Sequence, residues 1–391
     1  MTGPWRRLVP TALTLLVGLA VLGPPQRAAA IDPDPMDEPI DETALETSLA
    51  ELRLPPGFHI SLVTGRVPKA RSLAVGARGT IYAGTRQDGT VYEVIDQDGD
   101  WRADKVNRLV EGLFSPNGVA FRDGALYIAE IHRLSKIENV EARAGDERVE
   151  PATVAEAFPL KQHHGWKFIR FGPDGKLYVP VGAPCNVCAL EDPYGTIQRI
   201  NPDGTGLEVV ARGVRNSVGF DFDPATGEIW FTDNGRDRMG DDIPADELNH
   251  APTAGLDFGF PRCHGGDVID PRFGAPGDCE RVVPPAQKLG PHVAALGMRF
   301  YGGTMFPPEY REQIFIAEHG SWDRTTPIGY RISIVRRDAG GKPISYDTFI
   351  DGWLANDGPW GRPVDLEILP DGSMLISDDL AGAIYRVTYE P

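Results

Sequence analysis

The stretch "ARGTIYAGTRQDGTVYEVI", Ala77 to Ile95, places a glycine turn before a β-branched and aromatic run, breaks at Asp88-Gly89, and starts a second such run. Glycine accepts backbone angles that other residues avoid, and alternating Ile, Tyr and Val fit a pleated, half-buried surface. The unit therefore reads as a pair of antiparallel strands. It recurs as "RDGALYIAEIHRLSKIE" from Arg122, "GPDGKLYVPVGA" from Gly172 with "GTIQRI" from Gly195, and "DPATGEIWFTDNG" from Asp223. Two further copies are "YREQIFIAEHGSW" from Tyr310 with "GYRISIV" from Gly329, and "LPDGSMLISDDLAGAIYRV" from Leu369. Most copies start roughly 45 to 60 residues apart, the length of one four-stranded blade. Six copies predict an all-β, six-bladed β-propeller over residues 54–391. The longer interval between the fourth and fifth copies predicts a loop-rich insertion at about 236–298, which holds Cys263 and Cys279. Residues 31–53, acidic and rich in Ala and Leu, read as a short helix or arm ahead of the first blade.

The start of the chain speaks to its compartment. Arg6 and Arg7, an apolar run from Leu8 to Leu22 and Ala28-Ala29-Ala30 have the layout of a signal peptide over 1–30, implying a periplasmic or secreted protein. The apolar run is too short for a comfortable bilayer span, so no membrane segment is expected after cleavage. With 39 Lys+Arg against 56 Asp+Glu, the net charge of −17 disfavours nucleic acid and anionic lipid, and suits small molecules and Ca²⁺.

Four cysteines in an oxidising compartment point to disulfides. Cys263 and Cys279 flank a loop that a bridge would close, and Cys185 and Cys188 lack nearby zinc ligands, which favours a small structural disulfide. Ala189 follows Cys188, so the haem-attachment signature C-x-x-C-H is absent, and electrons, if handled, must leave to another protein.

Three loops carry chemistry. His163 and His164 precede the third copy, and a histidine near its ordinary pKa can act as a general base. Arg215 and Asn216 precede the fourth, where a planar guanidinium can face an oxygen that gains charge. After that strand, Asp233, Asp237, Asp241, Asp242, Asp246 and Glu247 crowd one loop, and such carboxylates repel unless solvated or joined by a cation. A separate acidic run, Asp96 to Asp104, has its glycine too early for an EF-hand and reads as a hairpin turn.

The ordered series "HHGWKFIRFGPDGKLYV", "GVRNSVGFDFDPATGEIWFTDNG", "DELN", "DFGFP", "LGMRFYGG", "IFIAEHGSWDR" and "GRPVDLEILPDG" resembles the glucose/sorbosone dehydrogenase family, nearer its sorbosone branch. The resemblance covers the chain after the arm. It implies a periplasmic enzyme that uses pyrroloquinoline quinone (PQQ) and Ca²⁺ to oxidise a sugar or sugar aldehyde, and passes electrons to an external cytochrome or quinone. It further implies His164 as catalytic base and Arg215 as the group facing the quinone carbonyl. Asn216, His292, His319 and Arg362 become cofactor contacts, the carbonyls of Gly235 and Arg236 ligands of the cofactor's Ca²⁺, and Glu247 a ligand of a separate structural calcium. The chain departs from the family at His163 and Val364, where an acid and a second cofactor arginine are expected, and "GAPCNVC" replaces a glutamine-bearing loop. A metal-dependent lactonase or hydrolase, with a channel metal held by acids from several blades, is one alternative. A non-catalytic propeller binding a carbohydrate or a protein is another.

Overall fold

In the computed structural model, five of the six glycine turns join the first and second strands of successive blades, as in Ala70–Val75 to Ile81–Thr85 and Gly118–Arg122 to Ala125–Ala129. In the fifth blade the corresponding link is longer, and the "YREQIFIAEHGSW" copy covers its end and the second strand. The structure describes residues 42–143, 149–356 and 358–391, with Met1 and Gly3; the signal-peptide reading at 1–30 lies outside the described residues. Six sheets, each of four antiparallel strands in its core, form a ring, so the chain is a six-bladed β-propeller.

Ring closure comes from the chain's beginning. Strand Phe58–Thr64 pairs antiparallel with Ala383–Tyr389 and supplies the outer strand of the last blade, Phe58 opposite Tyr389. The Phe58 ring sits edge-on to Phe306, Tyr310, Phe349 and Tyr389, with centroids 4.8, 5.1, 4.9 and 4.9 Å away. Such contacts add to the burial of large rings, so the seam between chain ends is held by core packing as well as by ladder bonds. The short helix Glu42–Leu49 buries Leu45, and Glu42 accepts a bond from the Gly65 backbone N–H at 2.7 Å.

The interval read as an insertion at 236–298 contains regular blade strands. Glu247–Ala251 and Gln287–Lys288 are the third and fourth strands of the fourth blade, and Ala295–Phe300 opens the fifth. The excursion proper lies between the first two of these. Within it, Leu256–Asp257 adds in parallel to the outer strand of the third blade, and Cys263 is disulfide-bonded to Cys279. Cys185 is bonded to Cys188. Asp96 to Asp104 forms the hairpin connection between Val91–Ile95 and Lys105–Val110, with Asp96 accepting from the N–H groups of Gly99 and Trp101. Among the described residues no helix is long and apolar enough to cross a membrane.

Because strands alternate in direction, the loop entering a blade's first strand and the loop leaving its second lie at one end of the propeller. The glycine turns lie at the other. Polar side chains, Asn117 buried and Asn234 half-buried, tie neighbouring blades near the first end: Asn117 accepts from Arg71 Nε at 2.8 Å and donates to the Lys167 carbonyl at 2.7 Å, and Asn234 donates to the Ala295 carbonyl at 2.9 Å.

Candidate active site

Those two sets of loops enclose a cavity of about 640 Å³. The entering loops bring His163, His164, Arg215, Asn216, His292 and Arg362, and the leaving loops bring Arg86, Asn234, Gly235, Asp237, His319 and Trp322. His164, Arg215 and Arg362, about 200 residues apart at the extremes, thus line one opening. Seven of the eight residues that the resemblance makes catalytic groups, cofactor contacts or carbonyl ligands of the cofactor's Ca²⁺ line this cavity; Arg236 does not reach the lining.

His164 is 8 % exposed and has a positive φ of 50°. Its Nδ1 lies 3.0 Å from the Ala183 carbonyl, which fixes Nδ1 as the protonated nitrogen and leaves the Nε2 lone pair as the basic site. Gly182 permits this approach, because a Cβ there would stand 2.5 Å from the His164 carbonyl oxygen. Burial, then the charge of Arg215 and the neighbouring His163, holds the His164 pKa well below the ordinary range, so the ring is neutral at physiological pH.

Arg215 is almost wholly engaged. Nε donates to the Asn186 carbonyl at 2.9 Å, Nη1 to the Asn234 carbonyl at 3.1 Å, and Nη2 to Asn186 Oδ1 and Asp237 Oδ2, each at 2.9 Å. Of five N–H donors one, on Nη1, is left for a ligand. The backbone N–H groups of Arg215 and Asn216 both donate to the buried Asp233 carboxylate, at 2.7 and 2.6 Å, which sets the direction of the loop.

Arg362 donates from Nε to the His319 carbonyl and from Nη2 to the Gly320 carbonyl, each at 3.0 Å. Gly320 has φ +101° and lies against the Tyr330 ring, where a Cβ would be 2.4 Å away. His319 faces Asp379 at 2.7 Å, yet burial and the arginines Arg362 and Arg71 hold its pKa down at about 4. His319 is therefore a neutral hydrogen-bonding group in this pocket.

Two further cations at the cavity come from the first blade, and nothing in the sequence singled them out. Arg71 and Arg86 line the cavity. Arg71 is paired with Asp379 at 2.8 Å. Arg86 makes no hydrogen bond or ion pair among the described residues; it stacks on the Trp166 ring at 3.7 Å, and burial beside Arg71 pushes its pKa down to about 10. A mostly buried, unpaired guanidinium beside two others marks a place for anionic groups. Arg86 directly follows the strand Ile81–Thr85 inside the first repeat, and nothing local separates it from a solvent-facing arginine.

Two places could hold a cation. Asp237, His292 and Asp323 bring one ligand atom each within 4.8 Å of one another at the cavity, with His292 Nε2 bonded to the Gly240 carbonyl at 2.9 Å. The Arg236 side chain turns away to pair with Asp270. Glu247 is buried in a separate small cavity with Asp233, Asn234 and His264, and accepts from Gly265 N–H at 2.6 Å and Asn249 at 2.9 Å. Burial raises the Glu247 pKa to about 7 and that of Asp246 to about 6, as expected for carboxylates short of counter-charge. Asp96, Asp98 and Asp100 form a third carboxylate group, far from the cavity lining and partly exposed.

Fold and site together define a six-bladed propeller with a cationic, histidine-bearing pocket at one end. The chain belongs to the family described as a domain of unknown function, DUF7133, whose model matches residues 44–386. An uncharacterized protein of Borreliella burgdorferi is 34% identical over 361 residues, covering 89% of this chain and 93% of that protein. Among solved structures, a Trichoderma reesei carbohydrate-active enzyme of family AA12 has a TM-score of 0.74 at 20% identity, covering 87% of this chain and 98% of that one. The holo PQQ domain of pyranose dehydrogenase from Coprinopsis cinerea has a TM-score of 0.73 at 17% identity, covering 86% and 97%. PQQ-bound aldose sugar dehydrogenase from Streptomyces coelicolor has a TM-score of 0.62 at 18% identity, covering 86% and 100%. These likenesses establish a shared fold.

Proposed function

We propose that this chain is a PQQ-dependent, Ca²⁺-assisted dehydrogenase that oxidises an aldose or sugar-derived aldehyde outside the cytoplasm and passes electrons to an external acceptor. One observation carries the reading: a neutral, oriented His164 and four arginines, one of them unpaired, share a single pocket. The fold held in common with PQQ sugar dehydrogenases supports it. PQQ is a flat tricarboxylate, and the residues present fit such a group. Arg71, Arg86 and Arg362 would face its carboxylates, and Asn216 with the free Nη1–H of Arg215 its ring oxygens. Bound there, PQQ supplies the two-electron acceptor for oxidation at the sugar's C1.

The chain's own work is to bind, orient and take a proton. His164 Nε2 takes the C1 hydroxyl proton, and its low pKa keeps the lone pair free across the physiological range. Trp322, 67 % exposed at the rim, offers an apolar face to a sugar ring. Asp237 and Asp323, with the Gly235 carbonyl, are the oxygen donors that would hold the pocket's Ca²⁺, and Glu247 would hold a separate calcium.

The test is reconstitution: purified full chain, PQQ, Ca²⁺, a dye acceptor, and a panel of aldoses and sorbosone. Dye reduction with at least one sugar, and quinone absorbance retained after desalting, is the expected result. Loss of both sinks the proposal. A second reading, a metal-dependent lactonase, is favoured by the Asp237, His292 and Asp323 group, whose members come from three different loops. It predicts lactone hydrolysis with metal alone, without PQQ.

A further inference from the structure

The four-residue turn closed by the Cys185–Cys188 disulfide follows the second strand of the third blade and packs against the pocket-lining residues Arg215 and Asp237. Its second residue, Asn186, uses every polar atom but its backbone N–H on two neighbours. The Asn186 carbonyl accepts from Arg215 Nε, and Oδ1 accepts from Arg215 Nη2 and from the Asp237 backbone N–H, all at 2.9 Å. Nδ2 donates to the Asp237 carbonyl at 3.1 Å. Two pocket-lining residues from two loops, Arg215 and Asp237, therefore hang on one disulfide-closed turn.

We infer that Asn186 is a positioning residue, which locks the Arg215 guanidinium and Asp237 into one geometry at the pocket, and that the Cys185–Cys188 bond exists to hold Asn186 in place. An arginine side chain has large rotamer freedom, and Arg215 otherwise has only the Asn234 carbonyl and the Asp237 carboxylate to hold it. A short disulfide ring contributes little loop entropy to stability, since the stabilisation grows with loop length. Its value lies in rigidity at the place where it sits. Asn186 matches Arg215 with two acceptors set apart as the guanidinium's Nε and Nη2 edge requires, a pairing that depends on the turn's backbone direction as well as on the side chain.

The kinetic part of this inference rests on the dehydrogenase reading; the structural part does not, and the experiment separates them. In cofactor-free full chain, the Arg215 Nε–H resonance, identified by its loss in Arg215→Lys, reports how firmly the guanidinium is held. Asn186→Ala and the double variant Cys185→Ser/Cys188→Ser should each raise its solvent exchange by about tenfold or more, whereas Asn186→Asp, which keeps the Oδ1 acceptor, should leave it within a few-fold of the native rate. In PQQ-loaded protein, Asn186→Ala should lower kcat by about 10²-fold with KM nearly unchanged, and Asn186→Asp should restore most of it. Unchanged Arg215 exchange in Asn186→Ala, with only a lower Tm, overturns the inference and makes the turn a structural filler. If native protein neither binds PQQ nor reduces dye, the dehydrogenase reading falls while the exchange measurement still decides the role of Asn186.

Discussion

The Nδ1 of His164 lies 3.0 Å from the carbonyl oxygen of Ala183, across the gap between a loop entering the third blade and the strand end that the same blade sends back. That bond sets the tautomer, and a set tautomer distinguishes a base from a histidine that only fills space. His164→Ala is expected to lower kcat for dye reduction by roughly 10² to 10⁴-fold while PQQ remains bound. Steady-state kinetics with quinone absorbance as the binding control checks this. Retention of near-native kcat would exclude His164 as the base.

Arg86 should show function and stability pulling apart. A mostly buried cation without a partner destabilises the empty protein and gains its partner only when an anion binds. Arg86→Gln is expected to weaken PQQ binding by about 10 to 100-fold, the loss of one charge-assisted hydrogen bond, and to leave Tm equal or higher. Calorimetric titration and a melting scan on the same sample measure both. A variant that binds PQQ as tightly as native protein removes Arg86 from the cofactor site.

Stability should fall as pH rises through neutrality. Burial raises the Asp378 pKa to about 7, although Oδ1 accepts from the N–H groups of Arg362, Leu380 and Ala381. A carboxyl whose folded pKa lies above its unfolded value of about 3.9 contributes stability that is fully present below that lower value and is lost as pH rises through the higher one. Asp246, raised to about 6, acts in the same direction. His164 and His319, held neutral by burial, act in the opposite direction as pH rises towards about 6.5, so the expected outcome is a Tm in low salt that declines from about pH 6.5 to about pH 8. Asp378→Asn, whose Oδ1 can still accept the three bonds, should flatten part of that decline. Equal pH slopes in the two proteins would contradict the assignment.

The second disulfide should behave as a stability element alone. Cys263 and Cys279 are 16 residues apart, and closing a loop of that size restricts the unfolded chain by an amount worth about 3 kcal/mol. Cys263→Ser/Cys279→Ser is expected to shift the denaturant midpoint by about that free energy, with KM for sugar unchanged because the bridge lies outside the pocket lining. A large rise in KM instead would tie the excursion to substrate binding.

Blade number, strand pairing and both disulfide partners were legible in the sequence, because each depends on residues close together in the chain. A glycine turn between alternating runs encodes a hairpin wherever it stands. The same turns, however, mark the end of the propeller away from the pocket. The pocket end is made by loops with no common pattern, so His164 and Arg215 stood out only as isolated candidates, and His292, His319 and Arg362 became visible only through a family resemblance. Closure of the ring by Phe58–Thr64 and the contribution of Arg71 and Arg86 lay outside both kinds of reading. What decided them is the circular arrangement of blades, which brings residue 58 beside residue 389 and Arg71 within 2.8 Å of Asp379. The physical reason is that turn and strand propensities act over a few residues, whereas the charge balance of a pocket is set by whichever side chains the closed ring brings together.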